Sequence, residues 1–168
     1  MRLTEVTKPV RRELGKAGAR LVATANVHIT LAFLGNLAED QYQCVTSAAG
    51  RVHASGFSLL LDRWGFFQRA QVCYLASSEI PGELEHLVGR LWDAAESCGL
   101  KREVRPYQPH LTLARKVTAR LDFPPPESVL WTPVDFVLVS SVTHASGPEY
   151  RVLKRWPLAT GKLDHGPE

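Results

Sequence analysis

Two histidines, His28 and His110, each stand two residues before a threonine, Thr30 and Thr112, and the two pairs lie 82 positions apart. The surrounding stretches, Val27-His28-Ile29-Thr30-Leu31-Ala32-Phe33 and Pro109-His110-Leu111-Thr112-Leu113-Ala114-Arg115, nearly repeat one another. Both alternate apolar and polar residues, the signature of a strand with one buried face. Successive strand residues point to opposite faces, so Ile29, Leu31 and Phe33 are predicted to enter a core while His28 and Thr30 face away from it. Leu111 and Leu113 stand to His110 and Thr112 in the same relation. An unperturbed imidazole titrates near pH ~6.5 and so takes or gives a proton near neutrality. A hydroxyl donates to an anionic oxygen. Two such sets supply what a phosphoryl-transfer site needs without a metal: a base for attacking water, an acid for the leaving oxygen, and two donors for the non-bridging oxygens. One His-x-Thr is uninformative. Core packing has no reason to repeat polar residues at strand positions, and that makes the pair informative.

These strands need a frame. Residues 81–98 carry Leu84, Leu87, Val88, Leu91, Ala95 and Cys98 at helical spacing, with Gly99 to close the helix. A second helix is predicted over 37–53, with Glu39 and Asp40 in the first turn and Val45, Ala49 and Val52 along one side. Residues 1–6 read as a poor strand because of Thr4 and Glu5. Thr7 and Pro9 then suit the cap and first turn of a short helix to Lys16, with Val10 and Leu14 on one face and Gly15 and Gly18 at its end. Further strands are predicted at 57–61, 71–76, 131–140 and 150–158. Residues 63–69 read as a turn of aromatics between two arginines, 124–126 as a stiff proline connection, 146–148 as a turn, and 161–168 as a frayed tail. Helices interleaved with short strands give a mixed α+β fold, a single domain over 1–160.

A chain of 168 residues buries a sizeable core. Its 20 basic residues against 17 acidic leave a net charge of +3, which makes no global demand for a polyanion. Contact with nucleic acid must come from local placement of Lys and Arg. Cys44, Cys73 and Cys98 form no close-set pair, which predicts free thiols in a reducing compartment rather than a disulfide framework or zinc knuckle. No run approaches the ~18 apolar residues of a membrane span, and the charged N-terminus has no signal-peptide core. The expected location is the cytoplasm, away from any membrane.

With its flanks, the repeated motif resembles the paired His-x-Thr-x motifs of the two-histidine phosphoesterase superfamily. Leu31-Ala32-Phe33-Leu34-Gly35 and Pro109-His110-Leu111-Thr112-Leu113-Ala114-Arg115 are similar to those of the RNA 2′,3′-cyclic phosphodiesterases, also called the 2′-5′ RNA ligase family. The similarity runs from about Gly18 to Leu158. It implies two pseudo-symmetric lobes, each an antiparallel sheet backed by helices, with the active-site groove between them. It implies a monomer that needs no cofactor and acts on RNA 3′ ends or nucleotides bearing a 2′,3′-cyclic phosphate. It assigns His28 as proton donor to the leaving 3′ oxygen and His110 as proton acceptor for water, with a 2′-phosphate as product. Arg115, read as lying on the phosphate side with His110 and Thr112, matches the family's arginine and becomes a candidate phosphate clamp. The chain departs from the family in its beginning, where a firm apolar strand and a longer helix are expected; this predicts a trimmed first-lobe edge or a late start.

Other residues rank lower. Phe67 or Phe66 is a candidate for stacking on a base, and Arg105 and Lys116 for backbone contacts. Tyr107 fits rim or core, while His53, His86 and His144 lack a threonine partner. Rival functions are a metal-dependent phosphoesterase, with Asp62, Asp135 or Glu103 as a third ligand, and a non-catalytic module that binds RNA ends. Ligation of a cyclic phosphate end to a 5′-hydroxyl would use the same groups as hydrolysis.

Overall fold

The computed structural model describes residues 2–118, 122–144 and 147–159. They separate into two units: Met1–Leu31, Leu59–Ile80 and Pro106–Trp131 form the first, and Ala32–Ser58, Pro81–Arg105 and Thr132–Glu168 the second. The mixed α+β class is as the sequence predicts. The predicted turn at 146–148 lies partly, and the tail at 161–168 wholly, outside the described residues.

The first unit opens with α1, Arg2–Lys16, where a weak strand and a later helix start were expected. Thr7, Val10 and Leu14 are buried along one stripe of α1, and that stripe outweighs the poor propensity of the first turns. Pro9 therefore sits inside the helix rather than at its start. Thr7 is no cap: its hydroxyl donates back to the Leu3 carbonyl at 2.8 Å. Gly18, at φ +78°, ends the helix, and the Ala19 amide returns to the Leu14 carbonyl at 3.0 Å. Sealing a leucine such as Leu14 from water is worth about 1.5–3 kcal/mol, enough to hold α1 against the strands it covers.

Those strands are β1 (Arg20–Leu21), β3 (Arg63–Phe67), β4 (Val72–Ala76) and β5 (His110–Arg115), in the antiparallel order β1-β5-β4-β3. A separate pair joins β2 (Leu59–Leu61) to β6 (Val129–Trp131). Residues 63–67, predicted as a turn, are a full strand of the main sheet; the reversal comes after them, with the Gln71 amide bonded to the Gln68 carbonyl. The single strand expected over 131–140 is split: its first residue ends β6, residues 132–134 lie in no strand, and the remainder opens β7 (Asp135–His144).

In the second unit α2 (Glu39–Ala49) packs on α3 (Gly82–Ser97). The helical spacing of α3 buries Leu84, Leu87, Val88 and Ala95, joined by Trp92. Gly99 at φ +79° closes it. Strand β8 (Gly147–Pro157) pairs with β7 as a long hairpin, within which Phe136 stacks on Trp156 at 5.3 Å. The free-thiol expectation fails for two cysteines. Cys44 and Cys98 form a disulfide, with Cα atoms 5.7 Å apart, tying α2 to the end of α3. Cys73 alone is free; it is buried, which pushes its thiol up to about 11.

Candidate active site

Both His-x-Thr motifs belong to the first unit. The second sits on β5, where Leu111 and Leu113 are sealed in the core and His110 and Thr112 are half-buried. Across the ladder Ala76 stands opposite His110 and Tyr74 opposite Thr112; one strand further, Arg63 faces Ala76 and Gly65 faces Tyr74. All of these share one face of the sheet.

The first motif is not a regular strand. Residues 27–33 run extended from the short 3₁₀ turn Thr24–Asn26 and touch β5 through one isolated antiparallel bridge, Ile29 to Leu111. Phe33 does not enter a core; it is 77% exposed. Of the three apolar residues predicted to enter a core, Ile29 and Leu31 are only partly covered. The one bridge nevertheless fixes the register that matters. An antiparallel pair carries its neighbours past each other, so His28 runs alongside Thr112 and Thr30 alongside His110. Imidazoles and hydroxyls thus alternate around a four-cornered site, with the imidazoles on one diagonal. Diagonal neighbours in a sheet lie about 7–8 Å apart, room for a phosphoryl group between them.

The two imidazoles are anchored alike. His28 Nδ1 lies 2.7 Å from the Asn26 carbonyl and His110 Nδ1 lies 2.7 Å from the Gln108 carbonyl, each two residues upstream. A carbonyl only accepts, so Nδ1 holds a proton in both and Nε2 is the atom left for chemistry. Their surroundings differ: His28 is exposed, while His110 meets the edge of Phe67 at 5.1 Å and the Tyr74 ring at 5.2 Å.

Arg115 reaches the same face by a route that the sequence did not reveal. Unbroken alternation from His110 would turn residue 115 to the opposite side. A β-bulge shifts the pairing between Thr112–Tyr74 and Ala114–Cys73, leaving Leu113 extra. Leu113 and Ala114 are consecutive and both buried, so Arg115 emerges on the sheet face of His110 and Thr112. Arg20 stands directly opposite it on β1.

A scan with family models identifies residues 4–140 as a match to the 2′-5′ RNA ligase superfamily. The chain belongs to that superfamily. The RNA 2′,3′-cyclic phosphodiesterase of Escherichia coli is 34% identical over 140 residues, covering 83% of this chain and 80% of the relative. The protein of the same name from Thermus thermophilus is 31% identical over 163 residues, covering 90% and 80%. A solved structure of Escherichia coli LigT complexed with 3′-AMP superposes with a TM-score of 0.83 at 31% identity, over 94% of this chain and 93% of its own.

In this ligase-superfamily chain the lower-ranked candidates scatter. Phe67 is half-buried and packs on Tyr74 at 4.3 Å, walling the site. Phe66 lies on the reverse face and lines a cavity of about 290 Å³ with Trp64 and Cys73 among its walls; neither motif histidine lines it. Arg105 is paired with Glu103 at 2.9 Å, and Lys116 is exposed with φ +58°. Tyr107 is half-buried; desolvation holds its phenol protonated, and its hydroxyl has no partner among the described residues. His53 bonds the Arg51 carbonyl and His144 pairs with Glu149. Asp62 accepts from Ser78 and Asp135 from Arg155. No cluster of three or more metal-type ligands occurs among the described residues.

Three residues on the site face escaped the sequence reading: Arg63, Gly65 and Tyr74. Tyr74 lies in an apolar run that gives no warning of a site. Gly65 did carry a signal, since a lone glycine in a strand marks a close approach; reading 63–69 as a turn absorbed it.

Proposed function

We propose that this chain is an RNA 2′,3′-cyclic phosphodiesterase whose acid and base are His28 and His110. The observation that supports the reading is the Ile29–Leu111 bridge, whose antiparallel register runs His28 alongside Thr112 and Thr30 alongside His110. A cyclic phosphate between them has its non-bridging oxygens toward Thr30 and Thr112, with Arg115 offsetting their charge. His110 removes a proton from water as it attacks phosphorus. The bond from phosphorus to the 3′ oxygen breaks, and His28 supplies that oxygen with a proton. The 2′-phosphate remains. No metal is needed for any of these steps. A 5′-hydroxyl in place of water would give ligation through the same groups.

RNA 3′ ends or nucleotides bearing a 2′,3′-cyclic phosphate are the substrates, and the enzyme works as a monomer in the cytoplasm. No helix among the described residues is long and apolar enough to cross a membrane. The deciding experiment incubates the protein, with chelator present, with the four nucleoside 2′,3′-cyclic phosphates and a short RNA ending in one. Turnover to the 2′-phosphate is expected. Loss of turnover in chelator, restored by a divalent ion, would overturn the metal-independent mechanism.

A further inference from the structure

His110 is braced by two aromatic rings. Tyr74 is 7% exposed, and its ring lies 5.2 Å from the imidazole of His110 and 4.3 Å from Phe67, whose edge in turn meets His110 at 5.1 Å. The three rings form a closed triangle. Its seat is Gly65, the cross-strand neighbour of Tyr74. A methyl group built on Gly65 would overlap the Tyr74 ring at Cε2 and Cζ. The triangle therefore exists only while position 65 has no side chain. Rotation of His110 about its ring axis is limited at one end by the Gln108 carbonyl and along its sides by two aromatic rings.

We propose that Tyr74, seated over Gly65, is a positioning residue for His110, holding Nε2 in line with the phosphorus. This rests on the reading of His110 as the proton acceptor. A misplacement of about 1 Å at a reacting group costs up to about a hundredfold in rate, so loosening the brace should act on kcat with KM little changed.

The test combines kinetics on one nucleoside 2′,3′-cyclic phosphate with NMR of the histidine ring nitrogens and protons. Tyr74→Leu and Gly65→Ala should each lower kcat about ten- to a hundredfold and move the His110 ring resonances away from their ring-current-shifted positions. Tyr74→Phe, which keeps the ring, should restore most of the rate. Adding Gly65→Ala to Tyr74→Leu should cost nothing further, because the methyl group then has no ring to displace. Should Tyr74→Leu fail to fold, half-buried Phe67→Leu supplies the same two readouts. Native kcat with unmoved His110 resonances, or a loss confined to KM, would overturn the proposal. Failure of the acid/base reading is distinguishable: His110→Ala would then turn over normally, whatever the resonances do in the Tyr74 and Gly65 variants.

Discussion

The two motifs share sequence, tautomer anchor and register, yet differ in how they are held. Residues 110–115 form an inner strand of a four-stranded sheet, with leucines sealed behind and aromatic rings in front. Residues 27–33 hang on one bridge, and their histidine is exposed. A sheet ladder carries the second half of the site; the first half is joined to it by one backbone bridge, with its imidazole held by a carbonyl two residues upstream. One consequence is that damage to the second motif should be felt more in the fold than damage to the first.

The histidines test this most sharply. His28→Ala and His110→Ala should each lower kcat/KM by about 10²–10⁴-fold, the usual worth of a general acid or base. Thermal melting should separate them, with His110→Ala losing the contacts to Phe67 and Tyr74 and melting lower than exposed His28→Ala. Equal melting temperatures would erase the contrast. The threonines come next. A hydrogen bond to a charged group is worth about 1.5–3 kcal/mol, and a tenfold rate change is about 1.4 kcal/mol, so Thr112→Val and Thr30→Val should cost about ten- to a hundredfold. Exposed Thr30, where water can replace the hydroxyl, belongs at the lower end, and comparing kcat/KM for the two checks the order. Valine keeps the branched shape, which isolates the hydroxyl.

Arg115→Ala should raise KM about tenfold with a smaller change in kcat, as expected for a charge that holds the phosphate in ground and transition state alike. An effect on kcat alone would move Arg115 from binding to catalysis. The smallest effect on turnover should come from the second unit. Cys44→Ser with Cys98→Ser, or treatment with a thiol reductant, removes a cross-link spanning 54 residues and should cost about 2–4 kcal/mol of stability. Activity per folded molecule should be unchanged at a temperature well below the melt. A parallel loss of rate would tie the second unit to the chemistry of the first.

Local patterns with one consistent period were legible in the sequence. The 3.6-residue repeat from Leu84 to Ala95 with Gly99 behind it, and the alternation of 110–113, both translate directly into structure. Failures came where tertiary context overrode a local cue. Pro9 resembled a helix start, but the buried stripe of Thr7, Val10 and Leu14 extends the helix past it. Gly65 resembled a turn, but serves as a seat for a ring from the neighbouring strand. Alternation in 27–33 predicts a strand, and among the described residues its pairing stops at the Ile29 bridge. The pairing of Cys44 with Cys98 depends on the packing of α2 against α3, which no spacing rule encodes.

The bulge at Leu113 carries a lesson about insertions and deletions. Because two consecutive residues face inward there, strand length as well as side-chain identity determines where Arg115 points. Losing one codon from the Leu113–Ala114 pair would leave every motif residue in place and still restore strict alternation, sending the arginine to the reverse side of the sheet. A substitution such as Leu113→Ile would leave it where it is. When distant relatives are aligned, a one-residue gap between the threonine and the arginine therefore marks a change in which face the arginine takes, and should not be closed for the sake of a better score.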